Sequence, residues 1–296
     1  MKNGALAIAA TTVLSRTVSA GEEEKQRLGL QLYSVRADML INPLGTLKKV
    51  AAVGYKNVEH ANYVDRKFYG QRAAQFKKSL DDLGLSMPSG HTVMGKQHWD
   101  ESKNDFTDEW KYTVEDAATV GQRFVISPWL DESLRNNMDD FKRYMEVFNK
   151  CGELCKKSGM KFGYHNHNFE FSTQIDGKRL YDLILDSTNP ELVIQQMDIG
   201  NMYGAGGRAL ELIKQYPGRF VSMHVKDEIK LPNGGGMDGY ESTVLGKGVL
   251  PVKEIVDAGK SSGGTVLFHV EQESYQDQTA LAAVKEDFDI MKKWGY

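Results

Sequence analysis

The chain predicts an α/β fold, a single-domain (β/α)8 TIM barrel, and three observations carry that expectation. Eight short apolar runs alternate with eight amphipathic helical stretches across the 296 residues. Several of those helical stretches end at a glycine that turns the chain back into the next run. Four late runs close on Tyr164-His165-Asn166-His167, Met197-Asp198-Ile199-Gly200, Met223-His224-Val225-Lys226 and His269-Val270-Glu271. Polar groups delivered one per strand at successive strand ends converge on one mouth when the strands form a closed parallel barrel.

Residues 28–33 read as the first strand and 44–53 as its helix, stopped by Gly54. Strand 55–59 precedes helix 68–83, stopped by Gly84, and strand 85–91 precedes an irregular stretch, 92–105, that carries His98 and Trp99. Helix 106–120 ends at Gly121; strand 123–127 follows, then helix 139–158 and Gly159. The second half repeats the pattern with strands 161–165, 193–198, 220–225 and 265–271 and helices 178–187, 209–216, 252–261 and 280–294. An open doubly wound sheet would need only about five to seven strands, so eight such units favour closure. The stretches 92–105 and 230–247, the latter with Asn233-Gly234-Gly235-Gly236, follow strands at the catalytic face and read as lids or substrate walls.

Lys2, the apolar stretch 4–10 and the small residues Val18-Ser19-Ala20 read as an export signal over 1–20, which leaves 21–296 as the barrel. That predicts a periplasmic or exported protein; if the segment is no signal, the location is cytoplasmic. No run approaches the roughly 20 apolar residues of a spanning helix, so no membrane span is expected. Cys151 and Cys155, four apart in one helix, are aimed poorly for a bridge and read as small buried residues.

With 37 basic against 40 acidic residues and a net charge of −3, the surface has no electrostatic reason to seek nucleic acid or anionic lipid. No Gly-x-Gly-x-x-Gly follows a strand, so dinucleotide binding has no support. Acidic and imidazole groups at inward barrel positions such as Asp198 and His224 need a partner, and an ion supplies one.

Taken in order and spacing, the motifs resemble the xylose isomerase-like TIM barrel superfamily of sugar isomerases and epimerases, which also includes endonuclease IV-like proteins. The likeness lies in Leu30-Gln31-Leu32-Tyr33-Ser34-Val35-Arg36, Val58-Glu59, His165-Asn166-His167-Asn168-Phe169-Glu170-Phe171, Met197-Asp198-Ile199-Gly200-Asn201, His224-Val225-Lys226-Asp227 and Val270-Glu271-Gln272-Glu273. It implies one divalent ion (manganese, zinc, cobalt or magnesium) held by residues from strands five to eight. Asp198, His224 and Glu271 match three of those positions. Strand five departs from the pattern: His165 stands where the sugar epimerases carry a glutamate, so the fourth ligand is His165 in the same place or Glu170 five residues on, with His165 favoured.

The implied chemistry is abstraction of a proton next to a carbonyl through an enediolate, with Glu271, Glu170 and His167 as candidate bases. Lys226 and His91 would hold substrate oxygens, and Glu59, Tyr33 and Trp99 complete the expected substrate-binding set, with Trp129 and Tyr203 as further wall residues. Glu59 has an equally good structural reading as one half of an ion pair. The leading expectation is an isomerase or epimerase of an unphosphorylated sugar, because the loops show no phosphate cradle and sugar phosphates are cytosolic. A 3-keto-glycoside lyase or hydratase with the same residues follows, since a His-x-His motif on strand five resembles that of keto-sugar enzymes such as the inosose dehydratases. A non-catalytic sugar-binding barrel is the third reading. The expected partner is a small sugar or glycoside, without nucleic acid, and a homodimer is left open.

Overall fold

Each barrel strand pairs with its neighbours in chain order, and the last closes on the first. In a computed structural model that describes residues 27–296, the strands are β1 (Leu28–Gln31), β2 (Asn57–His60), β3 (Ser86–His91), β4 (Phe124–Ser127), β5 (Lys161–His165), β6 (Val193–Asp198), β7 (Ser222–Val225) and β8 (Leu267–Val270). All eight pairings are parallel, Leu28 of β1 standing opposite Phe268 of β8. Between and after them run α1 (Pro43–Val53), α2 (Ala73–Asp82), α3 (Asp108–Val120), α4 (Met138–Lys157), α5 (Leu180–Ser187), α6 (Ala209–Gln215), α7 (Val252–Ala258) and α8 (Ala280–Lys293). This is the (β/α)8 TIM barrel the alternation predicts. The expected export segment, 1–20, lies outside the described residues.

Local chemistry sets the helix ends. Asn137 caps α4 by accepting from the amides of Asp139 and Asp140, while Lys156 and Lys157 sit in the last turn, where the helix dipole favours positive charge. Gly84, Gly121 and Gly159 take φ of 66°, 94° and 73° after their helices, a region that costs a side chain but not a glycine. Along α4, Phe141, Tyr144, Phe148, Cys151 and Cys155 recur at three- and four-residue spacing and are buried. The two cysteines are free, and Trp110 Nε1 donates to Cys151 Sγ.

Three helices start later than the periodicity predicts, for one reason. Phe68 lies in a small antiparallel sheet of Tyr63–Val64, Lys67–Phe68 and Gln71–Arg72 ahead of α2. Phe106 pairs with Trp99 ahead of α3, and Lys178–Arg179 pairs with Gln174–Ile175 ahead of α5. An apolar residue that packs under a helix from a hairpin carries the same sequence signal as one inside its first turn. The 230–247 stretch likewise holds a ribbon, Asp227–Lys230 against Tyr240–Thr243.

Inside the barrel the layer nearest the strand starts is apolar, built from Phe124, Ile126, Ile194 and Leu267. Gly163 makes room for it, since a Cβ there would stand 2.7 Å from Ile126 Cδ1. Above that layer the interior turns polar, which no stability argument alone explains.

Candidate active site

Period-two alternation sends Gln31, Glu59, Ser89, His91, His165, Gln196, Asp198, His224 and Glu271 to the barrel axis near the strand ends. The register places Asp198 beside His224, and His224 beside His269, one layer below Glu271. Asp198 is then fixed from two sides. Its Oδ1 accepts from the amides of Gly200 (2.9 Å) and Asn201 (2.8 Å), and Asn166 from the end of β5 binds its backbone N and O at 3.0 and 3.1 Å.

Asp198 Oδ2 points the other way and accepts no hydrogen bond although the residue is wholly buried. Within 4.8 Å of one another lie ligand atoms of Asp198, His224 and Glu271. His224 Nδ1 is 3.8 Å from Asp198 Oδ2 and 3.0 Å from Glu271 Oε2, and His165 Nε2 is 4.0 Å from Asp198 Oδ2. Lys226 Nζ stands in the same group, 3.2 Å from Asp198, 3.0 Å from Glu271 and 2.6 Å from Glu273. A buried carboxylate oxygen that accepts no hydrogen bond and is met only by the Lys226 ammonium at 3.2 Å, beside an imidazole and a second carboxylate, belongs to a donor set that fits a divalent cation.

Beneath this set sits Glu59, also wholly buried. It accepts from Gln31 (2.7 Å), Gln196 (2.8 Å) and the Ser89 hydroxyl, and His224 Nε2 lies 2.6 Å from its Oε1. Burial pushes its pKa up, but the imidazoles of His269, His91 and His224 outweigh that and hold it well below the usual carboxylate range. Burial also raises Asp198, to about 6 against the pull of Lys226. For His224 burial works against the charged form, yet Glu271 and Glu59 lift it to about 10. The carboxylates of Asp198, Glu271, Glu59 and the part-exposed Glu273 outnumber the charged Lys226 and His224 among them, and surplus negative charge is the condition under which a cation binds.

A cavity of about 380 Å3 opens over Glu271, His165, His91 and His167, with Tyr33 and Trp129 in its walls. No lysine or arginine lines it among the described residues. His167 has an unpartnered buried Nδ1 and meets Trp129 edge-on at 5.7 Å. Four residues expected to meet the substrate do not line the cavity: Glu59 lies beneath the cluster and Lys226 is buried within it, so neither reaches a substrate directly, while Glu170 and Trp99 stand elsewhere. Glu170, the alternative fourth ligand and a candidate base, is buried behind β5, where Tyr164 Oη and the His167 amide donate to it; burial lifts its pKa to about 7. Trp99 does not line the cavity: pairing with Phe106 turns it to an outer groove, where its ring lies under Lys150 Nζ at 5.0 Å.

Gln196 escaped sequence reasoning although it links the layers. Its Oε1 meets His91 Nε2 at 2.6 Å and His165 Nδ1 at 3.0 Å, and its Nε2 donates to Glu59 and Ser222. The available signal was its place two residues before Asp198 on the same strand face, in a run otherwise read as apolar. Asn201 and Glu273, which hold Lys226, lie in the motifs that carry the family resemblance, but nothing in the sequence gave them a role.

The family model for the xylose isomerase-like TIM barrel matches residues 47–294. The chain belongs to that family. Within it, an inosose dehydratase from Clostridium perfringens is 25% identical over 192 residues, 61% of this chain and 62% of the relative, so the matched stretch spans about three fifths of that protein. A sugar phosphate isomerase/epimerase structure from Parabacteroides distasonis superposes with a TM-score of 0.78 at 24% identity, covering 96% of this chain and 98% of the other. A zinc-bound IolI protein superposes with a TM-score of 0.70 at 16% identity, over 90% and 97%. At these identities the two structures share the xylose isomerase-like barrel and no more.

Proposed function

We propose that this barrel is a divalent-metal-dependent enzyme that removes a proton next to the carbonyl of an unphosphorylated sugar. The observation that carries the reading is the convergence of buried ligand atoms of Asp198, His224 and Glu271 within 4.8 Å of one another under a sugar-sized cavity, with Asp198 Oδ2 held by no hydrogen bond and by the Lys226 charge alone at 3.2 Å. Asp198, His224 and Glu271, with His165 as the fourth candidate, would hold the ion. When bound, such an ion polarises a carbonyl and stabilises the enediolate, which acidifies the neighbouring C–H. Manganese, zinc, cobalt and magnesium suit the oxygen and nitrogen donors, and the zinc-bound relative supports a divalent ion as a class.

Glu271 faces both the cluster and the cavity, so its carboxylate is the base of choice for the proton. Lys226, charged and held by Asn201 and Glu273, offsets negative charge as it grows on the substrate. A phosphate would call for arginine or lysine in the wall, and the cavity has none among the described residues; neutrality of the substrate also agrees with the export signal read over 1–20 and a periplasmic location.

Two fates of the enolate share these residues. Epimerisation needs a second proton-transferring group across the sugar from Glu271, and besides Glu273 the wall offers imidazoles, His91, His165 and His167. Elimination needs one base only: the α-proton goes to Glu271, the electron pair forms the new C=C bond, the β C–O bond breaks, and the departing oxygen takes that proton back from Glu271. The inosose dehydratase relatives support the lyase reading, and the sugar phosphate isomerase/epimerase neighbours support the isomerase reading.

Incubating the protein with manganese and a 3-keto-glucoside in deuterated water tests both. Released aglycone marks elimination, and deuterium uptake with altered stereochemistry marks epimerisation. Glu271→Gln is expected to keep sugar affinity and to lose turnover by about 10²- to 10⁴-fold. Sugar binding without turnover in the unaltered protein would leave a non-catalytic barrel and sink the proposal.

A further inference from the structure

A second cleft opens from the side of the first. Its volume is about 730 Å3, larger than the mouth cavity, and Ala61, His91 and Val93 line both. One wall is the hairpin after β2, another the loop after β3 with Gln97 and His98, and the third the start of α3 with Glu109 and Tyr112.

This cleft is braced rather than incidental. Asp65 and Arg66 make the hairpin turn at φ of 51° and 59°, a region non-glycine residues seldom adopt and that persists only where the surroundings enforce it. Arg66 donates twice to Asp116, both at 2.9 Å, and Tyr63 Oη donates to the same carboxylate at 2.7 Å. So anchored, the Arg66 guanidinium lies 4.1 Å over the Tyr112 ring, which nevertheless stays 41% exposed at the cleft.

His98 supplies a second, independent observation. It lines the cleft, is 7% exposed, and meets the Gln97 amide nitrogen at 3.1 Å through Nε2. Its Nδ1 has no hydrogen-bond partner, with Glu109 Oε2 3.9 Å away. A buried polar atom left unpaired in a cleft wall is stabilised by whatever group the cleft receives.

We propose that this cleft is a second sugar subsite, and that the substrate is a glycoside of at least two rings. The inference rests on the mouth cavity being the sugar site proposed above. The reacting ring occupies the mouth, and the adjoining ring lies against Tyr112, with its hydroxyls reaching His98, Gln97 and Glu109. An aromatic face rimmed by hydrogen-bonding groups suits a sugar, which is apolar on its ring faces and polar at its edge. In the elimination reading this second ring is the leaving group.

The test uses the full chain with manganese and glucose disaccharides of α-1,4, β-1,4 and α-1,1 linkage oxidised to the ketone at C3, against 3-keto-glucose. Calorimetry reads affinity, and turnover is followed separately. At least one disaccharide is expected to bind about tenfold or more tighter than the monosaccharide, with Tyr112→Ala removing that advantage and Tyr112→Phe keeping it. Monosaccharide affinity stays within about twofold in both variants. Equal affinities for one ring and two, or an advantage that Tyr112→Ala leaves intact, would overturn the subsite. Loss of turnover with the affinity difference preserved counts against the catalytic reading alone, and binding of neither sugar overturns both.

Discussion

Glu59 Oε1 lies 2.6 Å from His224 Nε2, and neither side chain reaches solvent. The contact commits Nε2 to Glu59 and leaves Nδ1 as the nitrogen that faces Asp198 and Glu271. Glu59 holds the Nε2 proton, while Glu271 keeps Nδ1 protonated in the ion-free site; a divalent ion would displace that Nδ1 proton and take the lone pair, with Glu59 as the outer-shell carboxylate that raises the ligand strength of the imidazole.

Glu59→Gln should therefore weaken metal binding by about 10- to 100-fold while the barrel still folds. Competition with a fluorescent chelator reads the affinity, and circular dichroism reads the fold. Unchanged affinity would show that Glu59 serves only the ion-pair role.

Divalent ions should stabilise the folded chain through Asp198. At 100 times its dissociation constant an ion that binds only the native state adds about 2.7 kcal/mol, so manganese should raise Tm and a chelator lower it. In Asp198→Asn the shift should vanish, because the charged Oδ2 that faces His224 and Lys226 is replaced by an amide nitrogen that donates. A variant that still responds like the parent places the ion elsewhere.

Asp287 on α8 gives a pH test far from the cluster. Its Oδ1 accepts the Leu245 amide at 2.8 Å, its Oδ2 has no partner, and burial lifts its pKa to about 8. Folded chains keep this proton up to about pH 8 while unfolded chains release it near the ordinary value of 3.8, so the unfolded state binds fewer protons in between and stability falls as pH rises across that window. Asp287→Asn keeps the acceptor and removes the ionisation. Thermal melts should show the variant gaining on the parent from pH 5 to pH 9; parallel curves would refute the assignment.

Gly90 stands where no side chain fits. A Cβ there would lie 2.0 Å from the His60 ring and 2.6 Å from Gln122 Nε2. Gly90→Ala should cost about 1–3 kcal/mol by overpacking, read as a lower urea midpoint with an unchanged slope. A neutral substitution would mean that His60 moves aside freely.

The strands and helices were legible because their signals are local: a period of two or of 3.6 survives in any stretch of chain. The eight strands and the positions of Asp198, His224 and Glu271 on them come from such patterns. The hairpins ahead of α2, α3 and α5 did not, because Phe68, Phe106 and the 178–179 pair carry helix-like patterning at helix entrances. Trp99 looked like a wall residue for following β3 in a loop, and its strand pairing with Phe106 turns it to the outer groove. Glu170 was the alternative to the favoured His165 as fourth ligand. Burial against Tyr164 separates Glu170 from the cluster that His165 joins.

What the residue order determined alone was the alternation that makes a closed parallel barrel and the set of polar groups at its strand ends. Tertiary structure decided which of those groups meet, and it recruited Gln196, Asn201 and Glu273 to hold them. The reason is physical. Facing direction is set by dihedral period within a few residues, whereas hydrogen-bond partnership among Glu59, His224 and Glu271 spans 47 to 165 positions and exists only once closure brings the strand ends together.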